Sequence, residues 1–82
     1  MRLIFTPHFA RSYKKAPAAM QRAFDKQGLL LLQNLRHPSL HAKKYDEAKD
    51  GWQARVTGSW RFYVRIEGDA YVVDEIKAHP KK

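Results

Sequence analysis

Between Trp52 and Ile66 the chain alternates apolar and polar positions almost without a break. Trp52, Ala54 and Val56 are interleaved with Gln53, Arg55 and Thr57. After Thr57-Gly58-Ser59, Trp60, Phe62, Val64 and Ile66 are interleaved with Arg61, Tyr63 and Arg65. A period of two is how a half-buried strand shows itself. The pattern predicts an antiparallel hairpin with an apolar aromatic face. Arg55, Arg61 and Arg65 share the opposite face with Tyr63 and form a surface suited to an anion. Gly68-Asp69 predicts a second tight turn, and Ala70 to about Lys77 a last strand. A two-residue turn pairs Ile66 with Tyr71, Val64 with Val73, Tyr63 with Asp74 and Arg61 with Ile76. A one-residue slip changes those pairs, yet in either register Lys77 and His79 emerge near Arg61.

The first half follows a helical period. Arg2 to Phe5 predicts a first strand. Thr6-Pro7 is a helix start, a capping hydroxyl followed by a proline where no amide donor is needed. A helix from Pro7 to about Lys15 places Phe9 and Tyr13 on one face. Pro17 interrupts it and opens a second helix to about Arg36. Met20, Phe24, Leu31 and Leu35, widened by Leu32, form its apolar stripe. Gly28 costs that helix about 1 kcal/mol relative to alanine, which points to close packing against a neighbour. His37-Pro38 ends the helix, and Ser39 to Gly51 is read as a polar connector. The expected architecture is α+β: a strand, two antiparallel helices, then a three-stranded antiparallel sheet with the helices on one face. Residues 1–82 are expected to form a single domain.

Composition adds a partner class. Sixteen Lys and Arg stand against eight Asp and Glu, a formal charge of +8. Residues 1–36 carry seven basic residues and one acid, and residues 37–82 nine and seven, so the net values are +6 and +2. Such an excess suits a polyanion such as nucleic acid, an acidic protein segment or an anionic membrane. Cysteine is absent, which removes disulfides and thiolate metal sites. His37 and His41 have i, i+4 spacing, but the intervening Pro38 opposes a regular helix. No metal or other cofactor is expected. The apolar run at the N-terminus is too short for a secretory signal and no stretch is long enough to span a membrane. A cytoplasmic protein is expected.

The strand–helix–helix–three-strand order resembles the RelE/ParE superfamily of bacterial toxins, as does W-x-x-R-V-x-x-x-W-R-F-Y-V-x-I-E-G-D over Trp52–Asp69. Pro38-Ser39-Leu40 ahead of Lys43-Lys44 and a basic ending around Ile76–His79 add to the likeness. The resemblance implies a toxin held inactive by a cognate antitoxin, docked on a sheet edge or a grooved helix pair. The RelE-like branch implies an endoribonuclease cutting mRNA on the ribosome, and the ParE-like branch a binder of DNA gyrase without catalysis. A basic RNA-binding module is the third possibility. Metal-free RNA cleavage needs a base for the 2′-hydroxyl, donors for the phosphorane and an acid for the leaving oxygen. The resemblance assigns Arg61 to the scissile phosphate, where a guanidinium fork is suited, with Arg55 as a second ligand. It assigns proton transfer to His79; His41, in the connector, is an alternative base by its imidazole chemistry. Lys43, Lys44, Lys77 and Lys81 are expected to steer the substrate, and Tyr63 to stack a base. Trp60 belongs with the core, and His8 and His37 with helix ends. The terminal Tyr of many relatives has no counterpart after His79, which leaves proton transfer to His79 alone, to Lys81 or Lys82, or to groups of the ribosome, or leaves the toxin weak or inactive.

Overall fold

The computed structural model describes residues 1–79. Strand β1 (Arg2–Phe5) leads into α1 (Pro7–Lys15) and α2 (Ala18–Gln33). A 3-10 turn, Pro38–Leu40, precedes β2 (Lys43–Asp46), β3 (Gly51–Thr57), β4 (Trp60–Glu67) and β5 (Ala70–Ala78). The strands form one sheet in the order β1-β5-β4-β3-β2. β1 runs parallel to β5, and the other neighbours are antiparallel.

The predicted α+β order holds, with the sheet extended at both edges. β1 joins it beside β5. β2 arises inside the stretch read as connector, because Lys43-Lys44-Tyr45-Asp46 has no apolar alternation. Its residues are mostly exposed, and it is held through backbone pairing with β3. The second helix stops at Gln33 rather than Arg36, with Asn34 as its C-cap.

Local chemistry accounts for the helix starts. Thr6 Oγ1 accepts from Phe9 N at 3.0 Å, and Pro7 sits at the first position of α1. His37 Nδ1 accepts from Ser39 N at 3.1 Å and caps the 3-10 turn. Phe9 and Phe24 pack ring to ring at 5.0 Å, and Phe24 meets Phe62 edge-on at 5.0 Å. These rings join Leu31, Leu40, Ala54, Val56, Val64, Tyr71, Val73 and Ile76 in one core between helices and sheet. Trp60 packs against its margin. Leu32, expected to widen the stripe on α2, is exposed. A β-carbon at Gly28 would sit 3.5 Å from Leu3 Cδ1, an ordinary contact, so close packing does not demand a glycine there.

The register of the last hairpin divides at Tyr63. Ile66↔Tyr71 and Val64↔Val73 are paired as predicted, but Tyr63 faces Glu75 and Arg61 faces Lys77. A bulge at Asp74 causes the shift. Strict alternation after Val73 would turn Ile76 toward the arginine face. The extra residue returns it to the core, where it is 2% exposed, opposite Phe62. Burying one more aliphatic side chain outweighs a local interruption of the ladder.

Candidate active site

Arg55 and Arg61 are direct partners across β3 and β4, and Lys77 faces Arg61 from β5. Three cations thus stand in one row across the sheet. Like charges placed opposite each other oppose folding, so the row calls for an anion. Among the described residues, neither Arg55 nor Arg61 forms an ion pair with a carboxylate.

The two guanidiniums line a cavity of about 420 Å³ together with His41, Ala42, Lys43, Gln53 and His79. Among the described residues, no acidic side chain lines it. Arg61 Nη1 donates to Thr57 O at 2.8 Å, Trp60 O at 3.0 Å and Gly58 O at 3.2 Å. One nitrogen therefore fixes the side chain to the β3–β4 turn while the rest of the fork remains for a ligand. Arg55 Nε is buried with no hydrogen-bond partner among the described residues. A buried donor without an acceptor is costly.

Backbone contacts bring both histidines here. His79 N donates to Ser59 O at 2.7 Å, which ties the end of β5 to the turn that Arg61 grips. His41 follows the 3-10 turn at φ 45, in the left-handed region. Non-glycine residues seldom occupy it, and such positions collect at functional sites. Gln27 holds this loop from below. Its Nε2 donates to Ser39 O at 3.1 Å and to Arg55 O at 2.9 Å, and its Oε1 accepts from Ser39 Oγ at 3.2 Å. One buried amide thereby joins α2, the approach to His41 and the backbone of Arg55. In the sequence, the signal for Gln27 is a glutamine placed between Phe24 and Leu31 on the core-facing stripe of α2.

Other expected site residues separate from this cluster. Lys44 is paired with Trp52, and alternation turns it away from Lys43 onto the helix face. Its Nζ lies 3.0 Å from Asp50 Oδ1 and 5.4 Å from the Trp52 ring. The hydrogen bond to Asp50 raises the Lys44 pKa. The bonds from Lys44 and then Trp52 lower that of Asp50. Lys77 sits at the edge of the cation row, its Nζ 5.2 Å over the Tyr63 ring and 3.8 Å from Glu75 Oε1. Tyr63 is half-buried one row from Arg61, and its hydroxyl accepts from Gln53 Nε2 at 3.1 Å. Arg65, grouped by sequence with the other two arginines, is neutralised. It holds Asp74 by two bonds, Nε at 2.6 Å and Nη2 at 3.0 Å, and Nη1 also meets Glu67. His8 pairs with Glu75 at 3.2 Å. Lys81 lies outside the described residues.

No family model matches the sequence, and no curated protein matches it. Solved structures do match. A YoeB/ParE toxin from Agrobacterium tumefaciens superposes with a TM-score of 0.79 at 17% identity, over 98% of this chain and 100% of its own. Its fold is that of the RelE/ParE toxins. The archaeal RelE–RelB complex from Pyrococcus horikoshii gives a TM-score of 0.80 at 15% identity, over 99% of this chain and 97% of the matched one. The E. coli DinJ–YafQ toxin–antitoxin complex gives 0.78 at 12% identity, over 94% and 90%. The RelE-like likeness thus spans both edges of the sheet, including β2, which local patterning did not place. Among the described residues, no helix is long and apolar enough to cross a membrane.

Proposed function

We propose that this chain is the toxin of a toxin–antitoxin pair and cleaves RNA. The observation that carries the reading is the Arg55–Arg61 pair, which faces a cavity with two imidazoles, Lys43 and, among the described residues, no carboxylate. A phosphodiester is the ligand such a lining suits. It brings acceptors for the guanidinium nitrogens that face the cavity, and offsets the repulsion between the two guanidiniums.

The reaction is transesterification. The 2′-oxygen of the nucleotide attacks the adjacent phosphorus while its proton passes to an imidazole. Negative charge accumulates on the phosphorane oxygens, where Arg61 and Arg55 stabilise it. The bond from phosphorus to the 5′-oxygen then breaks, and a second imidazole protonates that oxygen. The products are a 2′,3′-cyclic phosphate and a 5′-hydroxyl. His79 and His41 are the two groups assigned to proton transfer, since imidazole serves as acid or base near neutrality. The substrate proposed is mRNA on translating ribosomes, as the resemblance implies. The partner is a cognate antitoxin, a reading supported by the RelE–RelB and DinJ–YafQ complexes among the neighbours and by the +8 charge, which favours an acidic protein.

The test is induction in a bacterial host with mapping of RNA 5′ ends. New 5′-hydroxyl ends within translated messages, absent in Arg61→Ala and His79→Ala, are expected. Growth arrest with intact mRNA and damaged DNA would instead place the chain with the gyrase binders.

A further inference from the structure

Beyond the cavity, the same sheet face carries an aromatic surface with no role in the chemistry above. Its centre is Tyr45, the bulge residue of β2, which falls where the pairing shifts between Lys44↔Trp52 and Asp46↔Gly51. Bulges re-aim side chains, and here the ring comes down over Gly51. A β-carbon on that glycine would lie 3.2 Å from Tyr45 Cε1 and Cζ, so the bare backbone of Gly51 is the seat of the ring. Tyr63 meets Tyr45 edge-to-face, with centroids 5.4 Å apart and planes at 86°.

Of the two rings, Tyr63 is already engaged. Lys77 covers it, and Gln53 holds its hydroxyl. Tyr45 rests on Gly51, touches Tyr63, and remains 52% exposed. A tyrosine so exposed, braced from beneath and from the side, keeps one broad surface toward solvent. Burial, followed by the carboxylates of Asp74 and Asp46, raises its pKa against the opposing effect of Arg65. The ring therefore stays neutral beside a polyanion. Tyr45 lies past the Gln53–Tyr63 row, over Gly51, four residues and about 13 Å along β3 from the Arg55–Arg61 row. Lys43 leads from the cavity toward Tyr45 on the same edge strand.

We infer that Tyr45 is a stacking platform for an unpaired base of a single-stranded RNA whose backbone phosphate is held between Arg55 and Arg61. The inference rests on the ribonucleic-acid reading of the cavity and adds a site to it. An aromatic face beside a basic groove is how single strands are held without readout of base edges. Strand-like placement on a braced edge keeps the ring's ordering cost low, because it is already fixed on Gly51. A duplex, whose bases are stacked on one another, cannot use this surface. The site thus selects single-stranded substrate.

The experiment measures binding of a 2′-O-methyl hexaadenylate, which cannot be cleaved, by fluorescence anisotropy at several salt concentrations. Tyr45→Ala is expected to weaken binding roughly tenfold, the scale of one base–aromatic stack. Its salt dependence should match that of the wild type. Tyr45→Phe should bind within about twofold of wild type, since the ring is kept. Replacing one base by an abasic site should make Tyr45→Ala and wild type equal at that position alone. Circular dichroism of each variant checks that the sheet is intact. Equal binding by wild type and Tyr45→Ala, with Arg61→Ala still weakened, would overturn the platform and leave the RNA reading standing. Wild-type binding no tighter than that of an Arg55→Met/Arg61→Ala double variant would overturn both.

Discussion

Two ends of one sheet face treat their arginines in opposite ways. Arg65 is gripped by Asp74 and Glu67. Arg55 and Arg61, a few residues along the same strands, face each other and Lys77 with no acid between them. In sequence all three occupy the same place in the alternation. What separates them is the neighbouring strand. The bulge in β5 holds Asp74 beside Arg65, while the residue that β5 sets opposite Arg61 is Lys77. An arginine on a strand becomes structural or functional according to what is hydrogen-bonded alongside it, which one strand's pattern does not contain.

The contrast can be broken most directly by exchanging losses. Arg61→Ala is expected to reduce the rate of RNA cleavage by about 10²- to 10³-fold, the scale of removing one donor to a developing oxyanion. Arg65→Ala should leave the rate within a few-fold and instead lower stability by about 1–2 kcal/mol, because it strands two carboxylates on a partly covered surface. Cleavage assays and urea unfolding of both variants decide this. Equal loss of activity in the two would end the distinction.

A subtler test uses Arg55. Arg55→Met keeps the apolar stem but removes a buried unpaired donor and the repulsion with Arg61. Stability should rise by roughly 0.5–1 kcal/mol while cleavage falls. Inorganic phosphate should raise the wild-type melting temperature, by occupying the cavity, and leave that of the variant unchanged. A fall in stability in Arg55→Met would show that its charge is already satisfied.

The smallest effect concerns Lys44 and Asp50, on the opposite sheet face. The folded Asp50 pKa is lowered, chiefly by its bond to Lys44. Its contribution is therefore full above the carboxylate's unfolded value and is lost as pH falls through the lower folded one. Asp50→Asn should remove a small part of the stability lost as pH falls below about 4, the ordinary aspartate value, without altering cleavage. Both groups are well solvated, so thermal melts across that range should differ only slightly.

The central hairpin was legible because its apolar residues occur every second position, and both helices because theirs follow a helical period. β2 was not, since Lys43-Lys44-Tyr45-Asp46 forms an edge whose stability comes from backbone pairing. The meeting of Arg55, Arg61 and His79 could be anticipated from the hairpin and the position of the chain end. The loss of Lys44 from the cavity could not, because alternation divides neighbouring lysines between faces only once a strand is recognised there. Gln27 escaped for a related reason: its partners are backbone oxygens 12 and 28 residues away, and no local pattern records such a match.

The pairing of β1 with β5 sets an order of assembly. Arg2 through Phe5 are matched with Ala70 through Val73, so β1 has to wait for a strand more than 60 residues further along the chain. Until β5 is available, Phe5 and Phe9 lack their strand neighbours. Contacts of such long sequence separation form late and slowly. Completion of the sheet and delivery of His79 to the Arg61 turn depend on the same strand. The cavity is thus assembled only once β5 is in place, a dependence written into strand order.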